Sequence, residues 1–162
     1  MFSPDLYYSH VTNVDLDDLS RRGVRNLLMD LDNTLLPRDT SDVSVAVRTW
    51  LAELPERGFS AALVSNNWHS HVFDVADDLG LPIAAKALKP FPGAFRRGLK
   101  SLGGRAENTA VIGDQIFTDV LGGNLVGMTT VLVLPLSTSD LPHTLALRHL
   151  ERIVLAGRKP LA

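Results

Sequence analysis

Residues 27–37 read Leu-Leu-Met-Asp-Leu-Asp-Asn-Thr-Leu-Leu-Pro, an apolar run that ends in two carboxylates one residue apart. Val24 to Leu31 otherwise has the pattern of a strand buried on both faces, as in a parallel sheet. Aspartate is a poor strand former. On a strand, Asp30 and Asp32 at i and i+2 point to the same side. Like charges held this close resist ionising together, so something should offset the cost. A divalent cation is the usual candidate.

Working outward, strands and helices alternate. Strand patterns cover 24–32, 60–67, 82–87, 108–114 and 129–136. Helical patterns cover 44–58 (as far as Leu54), 70–80, 93–104, 118–127 and 144–157. Strands separated by helices predict an α/β fold, a Rossmann-like parallel sheet with helices on both faces. The connections are short and no repeat or low-complexity segment occurs, so residues 1–162 are expected to form one domain. In such sheets the site forms at the carboxyl ends of the strands. Those ends carry Asp30 and Asp32, then Ser65 and Asn66, then Lys89, then Asp114 with Asp119.

Bulk properties bound the function. A chain of 162 residues with 45% hydrophobic and 21% charged residues is ordinary for a soluble globular protein. A formal net charge of −2 gives no reason to expect nucleic acid as a partner. The absence of cysteine excludes disulfides and thiolate metal sites and suits a reducing cytoplasm. The first residues, Met1 to His10, lack the basic and apolar regions of a signal peptide. No apolar run approaches the roughly 20 residues of a spanning helix.

The strand-end residues suit phosphate chemistry. Mg²⁺ takes hard oxygen ligands, which Asp30, Asp114 and a backbone carbonyl at Asp32 can supply. No histidine pair has a chelating spacing, so zinc is not expected. Lys89, the Ser65 hydroxyl and the N–H groups of the Asn66 turn suit phosphate oxygens. Asp30 can then attack phosphorus as a nucleophile, with Asp32 as general acid and base.

With those residues in view, "DLDNTLLP", "VSNN", "ALKP" and "VIGDQIFTDV" resemble, in order, the four motifs of the haloacid dehalogenase (HAD) superfamily of phosphohydrolases. The likeness to the class IIIA, YqeG-type subfamily runs on to "RHLERIVL" and covers nearly the whole chain. The resemblance implies a HAD-like fold and a phosphatase working through an aspartyl-phosphate. It makes Asp30 the nucleophile, Asp32 the acid/base, and Ser65 and Lys89 the phosphoryl holders. It assigns Mg²⁺ to Asp30, the Asp32 backbone and Asp114, with Asp119 in support. "NNWHSHV" departs from the more charged segment expected after the second motif, which leaves leaving-group contacts at Trp68 and His69 open.

Other features read as structural. "DLDDL" at 15–19 imitates the catalytic pair, but it opens a short helix that ends at Arg21, Arg22 and Gly23. "GGNLVG" at 122–127 ends a helix, so it is close packing or a turn and not a dinucleotide fingerprint. His69 and His71, at i and i+2, do not share a helix face. Asp119 could equally cap the helix at 118–127. A receiver domain also uses acids, a Ser/Thr and Lys-Pro, but there the phosphoacceptor sits on a middle strand, where this chain has Ser65 and Asn66. A silent binding module on the same fold has no need of the intact set of Asp30, Asp32, Lys89 and Asp114.

Substrate class follows from spacing. The segments from Asp32 to Ser65 and from Ser65 to Lys89 are filled by ordinary elements, so no substantial cap domain is expected and the site should be open. An open site suits a phosphate on something large, such as a membrane lipid head group. The resemblance extends to phosphatidylglycerophosphate phosphatases. A soluble metabolite, a nucleotide or a phosphorylated macromolecule is the alternative. The helix at 144–157 supports weak peripheral contact with the inner membrane face. Ala146, Leu147, Leu150, Ile153 and Val154 form an apolar stripe, Arg148 and Arg152 are expected on a polar face, and Arg158 and Lys159 follow.

Overall fold

A computed structural model of the chain describes residues 1–40 and 42–161; Ser41 and Ala162 lie outside the described residues. In chain order the elements are β1 (Leu6–Tyr8), α1 (Leu16–Arg21), β2 (Asn26–Met29), α2 (Val45–Glu53), β3 (Ser60–Val64), α3 (His71–Leu79), β4 (Ile83–Ala84), α4 (Pro92–Leu102), β5 (Thr109–Gly113), α5 (Leu121–Val126), β6 (Thr129–Val133) and α6 (Pro142–Val154). A π-helical turn, Ile116–Val120, leads into α5. The sheet order is β1-β6-β5-β2-β3-β4, and every neighbouring pair is parallel.

The central strand shows why the apolar run is continuous. Leu27 and Met29 enter one core with α1, α2 and α3 residues such as Leu19, Trp50 and Val72. Leu28 points the other way and packs with Phe95 of α4 and Met128. Alternate residues therefore serve opposite faces, and both faces are covered. Local chemistry sets the helix ends. The Asp15 carboxylate accepts the Asp18 N–H at 2.9 Å at the start of α1, and the Ser44 hydroxyl accepts the Val47 N–H at 3.2 Å at the start of α2. Gly80 closes α3 at φ 67°, where a side chain would be strained.

The predicted architecture is the observed one, and the differences lie at its edges. β1 has no counterpart in the sequence reading, because three residues are too few to show a period. It pairs with β6 in register Leu6↔Val131, and the C-terminal tail covers it through Leu161 N–H to Tyr7 O at 2.7 Å. The strand expected over 24–32 stops at Met29. Asp30 N–H still bonds Ile112 O at 2.9 Å, but the chain then turns, with Asn33 at φ 62°. A turn, and not strand alternation, thus delivers Asp32 beside Asp30.

Candidate active site

β2 lies between β3 and β5, where the strand order reverses direction, so the loops after these strands converge. One cleft of about 250 Å³ is lined by Asp30, Asp32, Ser65, Asn66 and Lys89, with Trp68 and His69 on its rim. Asp114 and Asp119 lie just beneath. Carboxylate oxygens of Asp30, Asp114 and Asp119 all lie within 4.8 Å of one another, and all three residues are buried.

Lys89 holds this cluster together. Its Nζ donates to Asp30 Oδ1 at 2.7 Å and to Asp119 Oδ1 at 2.6 Å, with the side chain 3% exposed. Burial opposes the lysine's charge, and the Asp119 and Asp30 carboxylates outweigh that, so its pKa stands above the ordinary value. Burial lifts the Asp119 carboxyl to about 6 against the pull of Lys89. The Asp114 carboxyl is also raised, by burial first and by the Asp30 charge second, with Arg148 opposing both.

The remaining site residues have separate tasks. Asp32 Oδ2 accepts from Asn67 Nδ2 at 2.9 Å. The Ser65 hydroxyl oxygen accepts the Asn67 N–H at 3.1 Å, which folds the turn after β3. The Asn66 side chain is committed to the Lys89 backbone. Its Oδ1 accepts the Lys89 N–H at 2.7 Å, and its Nδ2 donates to the Lys89 carbonyl at 3.3 Å. What Asn66 could offer an anion is its main-chain N–H. Asp119 both pairs with Lys89 and caps its own turn, Oδ2 accepting the Gln115 N–H at 3.2 Å. The cap weighed for it at the start of the 118–127 helix is not what forms: α5 begins after Val120, and the Asp119 carboxylate reaches back to the residue before the π-helical turn.

Several neighbours escaped the sequence reading. Thr34 Oγ1 donates to Asp114 Oδ1 at 3.1 Å; its place inside the opening stretch was the available signal. Asn67 stood beside Asn66 without a reason to prefer it. The largest omission is α6. Leu141, His143, Thr144 and Leu147 wall one side of the cleft, so the site is not fully open, although the described residues form no cap domain over it. Arg148, expected on a solvated face, is 13% exposed and pairs with Asp114. Arg158 is also engaged, donating to Ser3 Oγ at 2.6 Å. The apolar residues Leu150, Ile153 and Val154 face outward instead.

The donor set fits a hard divalent cation. It offers clustered, buried carboxylate oxygens and no thiolate, which is the chemistry of Mg²⁺.

Comparison with known proteins agrees with this geometry. Residues 87–145 match the HAD-hydrolase-like family. The chain belongs to the HAD superfamily, and it is a phosphatase. Within that class it is 37% identical to the probable phosphatase YqeG of Bacillus subtilis (strain 168), over 98% of this chain and 92% of the relative. It is 28% identical to phosphatidylglycerophosphate phosphatase 1, chloroplastic/mitochondrial, of Arabidopsis thaliana, over 97% of this chain but only 49% of that longer protein. Its fold is shared by the deoxy-D-mannose-octulosonate 8-phosphate phosphatase YrbI of Haemophilus influenzae, with a TM-score of 0.55 at 17% identity over 83% of this chain and 88% of that one.

Proposed function

We propose that the protein is a Mg²⁺-dependent phosphomonoesterase that forms an aspartyl-phosphate on Asp30 and acts on a phosphorylated lipid head group. The observation carrying the chemistry is the placement of Asp30 at the cleft floor, gripped by Lys89 and facing Asp114 and Asp119.

Lys89, the Ser65 hydroxyl and the N–H groups of the 66–67 turn hold the phosphoryl oxygens. An Asp30 carboxylate oxygen attacks phosphorus, and the ester P–O bond breaks. The Asp32 carboxylic acid gives its proton to the leaving oxygen. Asp32, now a carboxylate, takes a proton from water as that water attacks phosphorus. The bond from Asp30 to phosphorus breaks, inorganic phosphate leaves, and both aspartates return to their starting states. Asp30, Asp114, Asp119 and the Asp32 carbonyl are the groups that would hold Mg²⁺, which when bound neutralises charge on the phosphoryl oxygens and on the carboxylates around them.

The lipid reading rests on the named activity of the Arabidopsis relative and on the rim of the cleft. Trp68 and Leu141, which line the cleft, are 63% and 48% exposed, and Leu88 and Phe91, either side of Lys89-Pro90 in the chain, are 57% and 69% exposed. Lys86 Nζ lies 5.4 Å from the Trp68 ring centroid, which adds a cation beside the apolar rim. Among the described residues no helix is long and apolar enough to cross a membrane, so contact with lipid would be peripheral.

The test has two arms. Acid quenching during turnover should trap phosphate on Asp30, and Asp30→Asn should abolish turnover without unfolding the protein; EDTA should do the same reversibly. Label on another residue would overturn the mechanism. Phosphatidylglycerophosphate in anionic vesicles is then compared with a soluble aryl phosphate. Equal turnover of the two would overturn the lipid assignment.

A further inference from the structure

α6 is built the wrong way round for a surface helix. One face carries Thr144, Arg148 and Glu151, spaced i, i+4, i+7: Thr144 and Glu151 are buried and the Arg148 side chain is 13% exposed, while Leu145, Leu150 and Ile153 are exposed. Burying a charged face is costly unless each charge meets a partner. Here each does, and the partners belong to the catalytic loops.

The Arg148 guanidinium donates through Nη2 to Asp114 Oδ2 and through Nη1 to the Asp114 main-chain carbonyl. It therefore grips the carboxylate and the peptide plane of one residue at once. The opposite oxygen of that carboxylate accepts from Thr34 at 3.1 Å, so the group is held from two sides. Arg148 is itself fixed: Nε donates to Asp140 Oδ2 at 3.0 Å and Nη1 to Glu151 Oε2 at 3.2 Å. The second oxygen of Glu151 accepts the N–H of Ile116 at 2.6 Å, the first residue of the turn that carries Asp119. Arg148 does not line the substrate cleft, so it acts through another residue and not on substrate.

We infer that Arg148 is a positioning residue: it sets the orientation of the Asp114 carboxylate for the cation, and through it α6 becomes an integral part of the catalytic centre. This rests on the reading of Asp30, Asp114 and Asp119 as the cation site. A lysine in its place is a point charge, which cannot hold a carboxylate and a carbonyl together in a fixed plane. Partners that orient a metal ligand typically contribute 10–100-fold in affinity.

The experiment is calorimetric titration of Mg²⁺ into the EDTA-treated full chain, as wild type, Arg148→Met and Arg148→Lys, with thermal melting of each. Both variants should bind Mg²⁺ roughly 10–100-fold more weakly. Arg148→Lys keeps a buried cation beside Asp114 and so reports on positioning even if Arg148→Met fails to fold. An unchanged affinity in a folded variant would make the arginine a mere fastener of the helix and overturn the inference. Tighter binding would show that it competes with the cation, and recovery of wild-type affinity by lysine would show that charge alone matters; either result overturns it. A wild-type chain that binds no Mg²⁺ would overturn the cation site together with this inference, whereas wild-type binding with indifferent variants would leave the cation site standing.

Discussion

In the mechanism proposed above, Asp32 gives up and recovers a proton within one turnover, and its carboxylate accepts from the Asn67 amide, Nδ2 at 2.9 Å. A hydrogen bond to a charged group is worth about 1.5–3 kcal/mol. Asn67→Ala should therefore lower kcat by roughly ten- to a hundredfold. Asp32→Asn removes the proton transfer itself and should cost more, about 10²–10⁴-fold. Steady-state kinetics on a soluble aryl phosphate checks the order of the two effects. Asn33 shows how backbone conformation joins the same network. It sits at φ 62°, a region open to asparagine but strained for most residues. From there its side chain accepts from Ser137 Oγ at 2.6 Å and from the Arg38 N–H at 3.0 Å, tying the loop after β2 to the segment before α6.

At the scale of elements, α5 and α6 are placed by opposite means. α5 approaches the sheet through glycine. A Cβ on Gly123 would stand 2.3 Å from Val111 Cγ1 and 2.8 Å from Thr130 Cγ2, branched side chains rooted in β5 and β6. Alanine gains about 1 kcal/mol of helix propensity over glycine. Overpacking typically costs about 1–3 kcal/mol, and these neighbours cannot swing aside, so the clash should win. Gly123→Ala should lower the urea midpoint at constant m-value. α6 is instead held by charge. Glu151 is raised above its ordinary value of 4.5 by burial, with Arg148 on the same helix and the N–H groups of Ile116 and Phe117 opposing. The Tyr7 hydroxyl of β1 also faces it. A carboxyl with a raised folded pKa binds more protons folded than unfolded, so stability falls as pH rises from 4.5 through the folded pKa. Glu151→Gln should remove that part of the slope, as read from melting temperatures between about pH 4 and pH 7.

Over the whole molecule, exposed apolar residues stand near the cleft: Phe91, two places after Lys89, and Leu145 of α6, next in the chain to the cleft residue Thr144, are 69% and 52% exposed. Burying one such side chain gains about 1.5–3 kcal/mol. Charges placed at Phe91 and Leu145 should therefore weaken vesicle engagement while sparing the chemistry. The double variant Phe91→Glu, Leu145→Glu is expected to turn over phosphatidylglycerophosphate in vesicles at least roughly tenfold more slowly. Its turnover of a soluble aryl phosphate should stay near wild type. Parallel loss on both substrates would place these residues in the catalytic machinery and remove the membrane role of the rim.

Much of this architecture is written locally. The alternation of apolar runs with helical periods determines a parallel α/β sheet, and the polar residues at the strand ends determine where a site can form. Asp30, Asp32, Ser65 and Lys89 were legible because each interrupts an apolar strand or follows it immediately. Asp114 was legible for the same reason; Asp119 stands six residues beyond β5, inside a π-helical turn that the sequence pattern did not show, and was named through the motif that contains both. The orientation of α6 could not be read this way. Its periodicity identifies an apolar stripe and a polar one, and the general preference for apolar burial turns the apolar stripe inward. Tertiary structure reverses that, because the strand ends bring buried carboxylates together and Asp114 pairs with Arg148, 114 places from Thr34 and 118 from Asp30 in the chain. The demand of a buried charge for a partner outweighs the burial of a few leucines, and that demand exists only once the sheet has assembled.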